Sequence, residues 1–198
     1  MKLIFFSVFY FVAVIIIAHF FVPPEYNWLQ HTVSDLAAQG LQYQWIMQLG
    51  FIGFGLLLNI SFILKFVAAK KVFYPDVLIM LYGLAVLLSG FFSAATFLEG
   101  VSYAIQEDKL HSLFAQAAGV FFSVGILSYL IVSPDPKEKL IHTIFLTLVM
   151  GTSMVFGLEE NGVIHLGKGL IQRTLYLVSF IWLLVSQYWS FRTLLVWR

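Results

Sequence analysis

The chain has 198 residues, of which 61% are hydrophobic and 11% charged, with a formal net charge of +1 and no cysteine. A soluble domain carries roughly 25% charged residues because its surface must meet water, so this composition excludes an ordinary soluble globule and points to lipid as the solvent. The near-neutral charge gives no basis for a nucleic-acid partner, and a chain without cysteine has no disulfide, thiolate nucleophile or Cys-based metal site.

A helix needs about 20 predominantly apolar residues to cross the hydrocarbon core. Runs of that kind predict helices over Leu3–Val22, Trp45–Leu64, Val77–Leu98, Leu110–Val132, Lys139–Gly157 and Thr174–Phe191. They are continuously apolar rather than alternating, which predicts helices and not barrel strands. The expected fold class is therefore all-α: a single polytopic domain, residues 1–198, built as a six-helix transmembrane bundle. The first run ends without small residues at spaced cleavage positions and reads as a retained helix rather than a leader.

The breaks between runs carry turn chemistry. Pro23-Pro24 stops the first, Lys70-Lys71 to Pro75 separates the second and third, Ser133-Pro134-Asp135-Pro136 the fourth and fifth, and Asn161-Gly162 the fifth and sixth. Gly151 and Gly157 interrupt the fifth run, although membrane helices tolerate glycine well.

Lys and Arg set orientation. With the N-terminus inside, the cytoplasmic side holds Lys2, Lys65, Lys70, Lys71, Lys137, Lys139, Arg192 and Arg198, and the outer side Lys109, Lys168 and Arg173. Both termini are thus expected in the cytoplasm and the protein in the plasma membrane, a bacterial inner membrane. Seven acids (Glu25, Asp35, Glu99, Glu107, Asp108, Glu159 and Glu160) and His19, His31, His111 and His165 then fall on or near the outer face.

Three outer segments carry candidate chemistry. In the first, Thr32 three residues before Asp35 predicts a capping box on an interfacial segment. The same segment sets His31, Ser34 and Asp35 at i,i+3 and i,i+4 spacing, an inventory for nucleophilic or acid–base work. In the second, Glu107 and Asp108 complement the positive end of a helix. Asp108 and His111 are also i,i+3 neighbours able to share a proton or a divalent metal. In the third, three glycines and an Asn-Gly turn precede Gln172 and Arg173. Arg173 either snorkels to headgroups, pairs with Asp35 or Asp108, or clamps a phosphate, with Lys168 strengthening an anion site.

The centres of four of the runs carry only amides and hydroxyls such as Asn59, Ser89, Ser123 and Ser179, which argues against an ion pump. The partners expected on these grounds are membrane lipids and an amphiphilic ligand in an outer pocket.

His31-Thr32-Val33-Ser34-Asp35-Leu36, Asp108 with His111, and Gly169 with Gln172-Arg173 resemble domain-of-unknown-function family 998, over roughly residues 5–190. That family groups small multi-helix membrane proteins, so the resemblance implies about six helices and carries no assigned activity. Ser34, Asp35, Asp108 and His111 also resemble, more loosely, the inventory of the membrane hydrolases that include alkaline ceramidases and adiponectin-receptor-like proteins. That likeness implies zinc and hydrolysis of a lipid or amphiphile. The outer segments themselves offer His31, Ser34, Asp35, Asp108 and His111 as catalytic candidates and Lys168, Gln172 and Arg173 for binding substrate. Those hydrolases have seven helices, whereas six are expected here.

Overall fold

A computed structural model describes residues 2–196, with side chains as far as Ser186. Arg198 and the side chain of Arg192, both in the charge count above, lie outside the described residues. The described chain forms α1 (Lys2–His19), a short 3-10 helix (Ser34–Ala37), α2 (Gln44–Ala69), α3 (Tyr74–Ser89), α4 (Ile105–Val132), α5 (Pro136–Glu160) and α6 (Lys168–Val196). It contains no strand beyond a single bridge between Ala38 and Ala94. Five of the helices, all but α3, are long and apolar enough to cross a membrane.

The third run departs most from expectation, because α3 stops at Ser89 and Phe91–Leu98 is not helical. An apolar segment can leave the helix only if its amides find other acceptors. Here they do: Ser93 N donates to Glu107 Oε2 at 3.3 Å and Ala95 N to Asp108 Oδ1 at 2.9 Å. In the same segment the carbonyl of Ala94 accepts from Gln39 N at 3.0 Å. The sixth run departs in the other direction, since α6 begins at Lys168 rather than Thr174 and takes Gly169 into its first turn.

Successive helices pack side by side, and α6 returns to touch α1. Phe11 of α1 sits among Phe51 and Phe54 of α2 and Tyr176 and Phe180 of α6, with ring centroids 5.1–5.6 Å away. Lower in the bundle Trp182 of α6, fully buried, meets Phe122 and Tyr129 of α4. Helices α2 and α3 approach backbone to backbone where Gly55 faces Gly83; a β carbon on Gly55 would collide with the Gly83 carbonyl. Small residues at such crossings are how membrane helices gain packing without a hydrophobic driving force. Apolar side chains left outside the bundle, among them Phe9, Ile63, Val120 and Met154, are the surface that lipid covers.

Loops of 20–43, 90–104 and 161–167 gather at one end, the loop end. The α2–α3 and α4–α5 connections make the opposite, turn end. There α5 starts on Pro136, with Asp135 capping Lys137 N at 2.9 Å. Behind these turns Asp76, fully buried in the first turn of α3, forms an ion pair with Lys65 of α2 at 2.8 Å. It also accepts the hydroxyl of Tyr129 from α4. The Tyr129 ring lies against His142 of α5, whose Nδ1 accepts from Trp182 Nε1 at 3.1 Å. One cluster therefore joins α2 through α6.

Breaking a buried pair on one side costs about 3–5 kcal/mol, because the remaining charge is stranded. Asp76→Ala is expected to lower the melting temperature of the detergent-purified protein steeply, and Lys65→Met with Asp76→Leu to recover most of the loss. A double variant no more stable than Asp76→Ala would show that the pair does not hold the turn end together.

Candidate functional site

The site at the loop end is built on the start of α6. Glu159, buried at the end of α5, turns its carboxylate to the main chain, accepting from Leu166 N at 2.7 Å and Gly167 N at 3.1 Å. That fixes the turn into α6 and presents Gly167 and Gly169 to the first loop. A β carbon on Gly167 would strike the Leu29 carbonyl, and one on Gly169 the carbonyls of Trp28 and His31. With glycine at both positions the loop backbone lies directly on the helix, and Leu170 N donates to Leu29 O at 3.1 Å. Gln172 Oε1 accepts from Val33 N at 2.6 Å.

Arg173 completes the contact. Its Nη1 donates to the carbonyls of Trp28 at 2.8 Å, His31 at 2.9 Å and Gly169 at 2.9 Å. Its Nη2 donates to the Tyr26 hydroxyl at 2.6 Å and lies 3.1 Å from His19 Nε2. The expected pairing of Arg173 with Asp35 or Asp108 is not what forms. The ion pairs among the described residues are Lys65 with Asp76 and Lys168 with Glu160. A planar fork of donors suits several converging carbonyls better than any single ammonium would. The Tyr26 hydroxyl donates in turn to Thr32 O at 3.0 Å. Burial pushes the Tyr26 phenol up, against the opposing pull of Arg173, so it remains a donor.

The capping box is present. Thr32 N donates to Asp35 Oδ2 at 2.6 Å, and Asp35 N to Thr32 Oγ1 at 3.1 Å, opening the 3-10 helix. Burial raises the Asp35 carboxyl, while the two Thr32 hydrogen bonds and the nearby His31 and Lys168 pull it down. His31 accepts Asn27 N on Nδ1 at 2.9 Å and stacks on Phe97 with centroids 4.3 Å apart. Its Nδ1 lone pair is thus engaged, and in the neutral ring Nε2 carries the proton. Nucleophilic chemistry at Ser34 needs a base within hydrogen-bond reach. Among the described residues no hydrogen bond joins Ser34 to His31 or Asp35.

Asp108 and His111 serve the second loop. Asp108 and Glu107 hold Ala95 N and Ser93 N, as described above. His111 directs Nδ1 at the carbonyls of Ser89 and Phe92, 2.9 and 3.1 Å away, which requires the proton on that nitrogen. Its Nε2 is buried without a hydrogen-bond partner among the described residues, and the ring stands edge-on to Phe51. Gln39 ties the two loops together, donating to Ala104 O at 3.1 Å and accepting Ala104 N at 2.7 Å. The candidates therefore form two groups, Arg173 of α6 with His31 and Asp35 at the first loop, and Asp108 with His111 of α4 at the second, each engaged mainly with main chain.

A zinc site needs three or four converging ligands. Among the described residues no three His, Asp or Glu side chains meet in that way. The donor set does not fit the metal that the hydrolase likeness implies.

A match across residues 6–187, nearly the whole chain, decides the family. The chain belongs to the DUF998 family. Its description is a protein of unknown function, and the apolar helices make this member a membrane protein. No curated protein and no solved structure matches the chain, and the likeness to ceramidase-type hydrolases has no support among these comparisons.

Sequence reasoning placed His19 and Glu159 on the outer face without giving them a role, and missed Tyr26 and Gln39 there and the Lys65–Asp76 pair at the other end. A charged residue inside a long apolar helix, as Lys65 is, was the available signal.

Hydrogen bonds from a charged donor are worth about 1.5–3 kcal/mol each. Arg173→Met, leaving loop carbonyls unpaired, is expected to destabilise by about 3 kcal/mol or more. It should also speed hydrogen exchange and proteolysis across Asn27–Thr32. Arg173→Lys should rescue only partly, since one ammonium cannot serve all five partners. Unchanged exchange in Arg173→Met would remove the guanidinium from its place as anchor.

Proposed function

We propose that this DUF998 protein is a lipid-binding, non-catalytic membrane protein that crosses the bilayer six times, with both termini in the cytoplasm and the loop end facing outward. The sixth crossing is α3. Its sixteen residues rise about 24 Å at 1.5 Å each, and the flanking apolar Val72-Phe73 and Phe91-Phe92 extend that reach. The bias of Lys and Arg toward the turn end supports the orientation, and a bacterial plasma membrane is the location that fits it.

The observation that carries the reading is how the candidate side chains are spent. Arg173, Asp35, His31, Asp108 and His111 bind amides and carbonyls of the loops rather than one another. This pattern builds a fixed cover over a bundle end. Around that cover Phe20, Phe21, Trp28, Leu29 and Tyr43 are exposed, an aromatic and apolar rim suited to the interface.

The cysteine-free chain makes orientation directly measurable. Single cysteines replacing Asn161 and Lys71 should react with a membrane-impermeant thiol reagent from outside for the former and only after lysis for the latter; the reverse pattern sinks the topology. For function, the purified protein is expected to retain phospholipid in native mass spectrometry and to leave ester- and amide-linked lipids uncleaved. Turnover abolished by Ser34→Ala or His31→Ala in protein of unchanged melting temperature would replace the binding reading with the hydrolase.

A further inference from the structure

We propose that the first loop is a proton-operated latch, closed while His19 accepts a hydrogen bond from Arg173 and released when the His19 imidazole takes up a second proton. The device goes beyond the lipid-binding reading and holds whichever side of the membrane the loop end faces, since it needs only contact with water of changing pH.

The two ring nitrogens of His19 meet opposite partners. Nδ1 lies 2.6 Å from the carbonyl of Ile15, one turn back on α1, so it carries the ring proton and donates it. Nε2 lies 3.1 Å from Arg173 Nη2, a group that can only donate, so it is the acceptor. The neutral ring satisfies both at once. An imidazolium has an N–H on each nitrogen, and the one on Nε2 would point at the guanidinium N–H with two positive charges in contact. A charged His19 and the Arg173 contact therefore exclude each other. Imidazole is the side chain whose ordinary charge change falls between pH 5 and 8, and His19 sits half-buried in the last turn of α1, at the end of the bundle.

The groups around the ring leave that conflict unrelieved. From the first loop, Tyr26 stands edge-on to His19 with centroids 5.6 Å apart. From α6 come Arg173 itself and Tyr176, which lies in the field of Arg173; phenols carry no charge in this range. Lys168 of the same helix is paired with Glu160. Helix α2 brings no charge to this end, its one ionised side chain being Lys65 in the turn-end cluster. Glu25 and Glu99 are exposed on the two loops, and among the described residues no carboxylate pairs with His19. His31 is the lesser sensor: its Nδ1 also accepts, from Asn27 N, but the Asp35 carboxyl is near enough to feel a charge on that ring. Asp35 itself works with the opposite sign. Burial raises its carboxyl, so the closed loop takes that proton before the open one, and acid acting there favours closure.

The open loop binds a proton at His19 that the closed loop excludes, so falling pH shifts the balance toward open, by up to about tenfold per pH unit for one linked proton. Opening undoes the loop's contacts with Arg173 as a set, because the carbonyls of Trp28 and His31 and the Tyr26 hydroxyl belong to one short stretch of chain. Gly167 and Gly169, covered in the closed form by the carbonyls of Leu29, Trp28 and His31, then become the bare start of α6.

Hydrogen exchange of the full chain in nanodiscs tests the latch, with the protection of Asn27–Thr32 corrected at each pH for exchange of the unstructured peptide. Between pH 7.5 and 5.5 that protection is expected to fall about tenfold, which is what one imidazole of ordinary proton affinity yields over that range. Amides of α2 from Phe51 to Leu58 should keep theirs. His19→Gln sets an oxygen acceptor where Nε2 stands and takes up no proton, so its loop should be closed at pH 7.5 and hold its protection at pH 5.5 to within about twofold. His31→Asn, with an acceptor in place of Nδ1, should retain most of the response. Nitrogen NMR of the wild-type protein with labelled histidine decides the matter should His19→Gln open at both pH values. The His19 ring is expected to carry its proton on Nδ1 at pH 7.5 and to become doubly protonated as protection is lost. Protection that does not fall in acid, a fall that survives in a closed His19→Gln, a response abolished by His31→Asn alone, or a neutral His19 ring protonated on Nε2 each overturns the latch.

Discussion

A loop lying against the end of a membrane bundle must find partners for its own carbonyls, because little water reaches its underside. In this protein the guanidinium of Arg173 meets that need. Three carbonyls, a phenol and an imidazole converge on one side chain; apart from Gly169 in the first turn of α6, they come from the end of α1 and the loop that follows it. Main-chain acceptors carry partial charge spread over several atoms. Arg173 is therefore satisfied without a carboxylate in contact, and the loop gains a fixed shape. The other loop-end features follow from this contact: glycine at 167 and 169, the amide of Gln172 on Val33, and the buried position of Glu159.

The turn end solves a related problem differently. Its connections are short and leave few stray carbonyls, so its buried polar groups are side chains, and they satisfy one another as Lys65, Asp76 and Tyr129. Helix α6 takes part at both ends, through Arg173 above and Trp182 below. Its neighbour α5 is held on fewer sides, and exposed Leu148, Met150 and Met154 leave much of it to lipid.

What the sequence disclosed follows the range of the interactions. The Thr32–Asp35 capping box was legible because both partners lie within one turn. The existence of the helices was legible because apolar runs are local as well. The end of α3 was not, since nothing in Phe91–Leu98 distinguishes a helix from an extended segment whose amides are taken by Glu107 and Asp108. The partners of Arg173 were also hidden. Carbonyls have no residue signature, so a search for an acid to pair with it pointed to Asp35 and Asp108. The hydrolase likeness rested on an inventory of Ser, Asp and His; the fold divides that inventory between two loops.

The order of synthesis gives the Arg173 contact a temporal side. His31 and Arg173 are 142 residues apart in the chain. At about 5–20 residues per second, the ribosome reaches Arg173 roughly 7–30 s after His31. Through that interval the first loop has been made but its anchor has not. Trp28 and its neighbours must wait at the membrane surface, where water and headgroups satisfy their carbonyls in place of the guanidinium. Helix α6, made after α1 to α5, is thus the one that closes the loop after α1, and a nascent chain stalled before residue 173 would carry an unfastened end however well its earlier helices had packed.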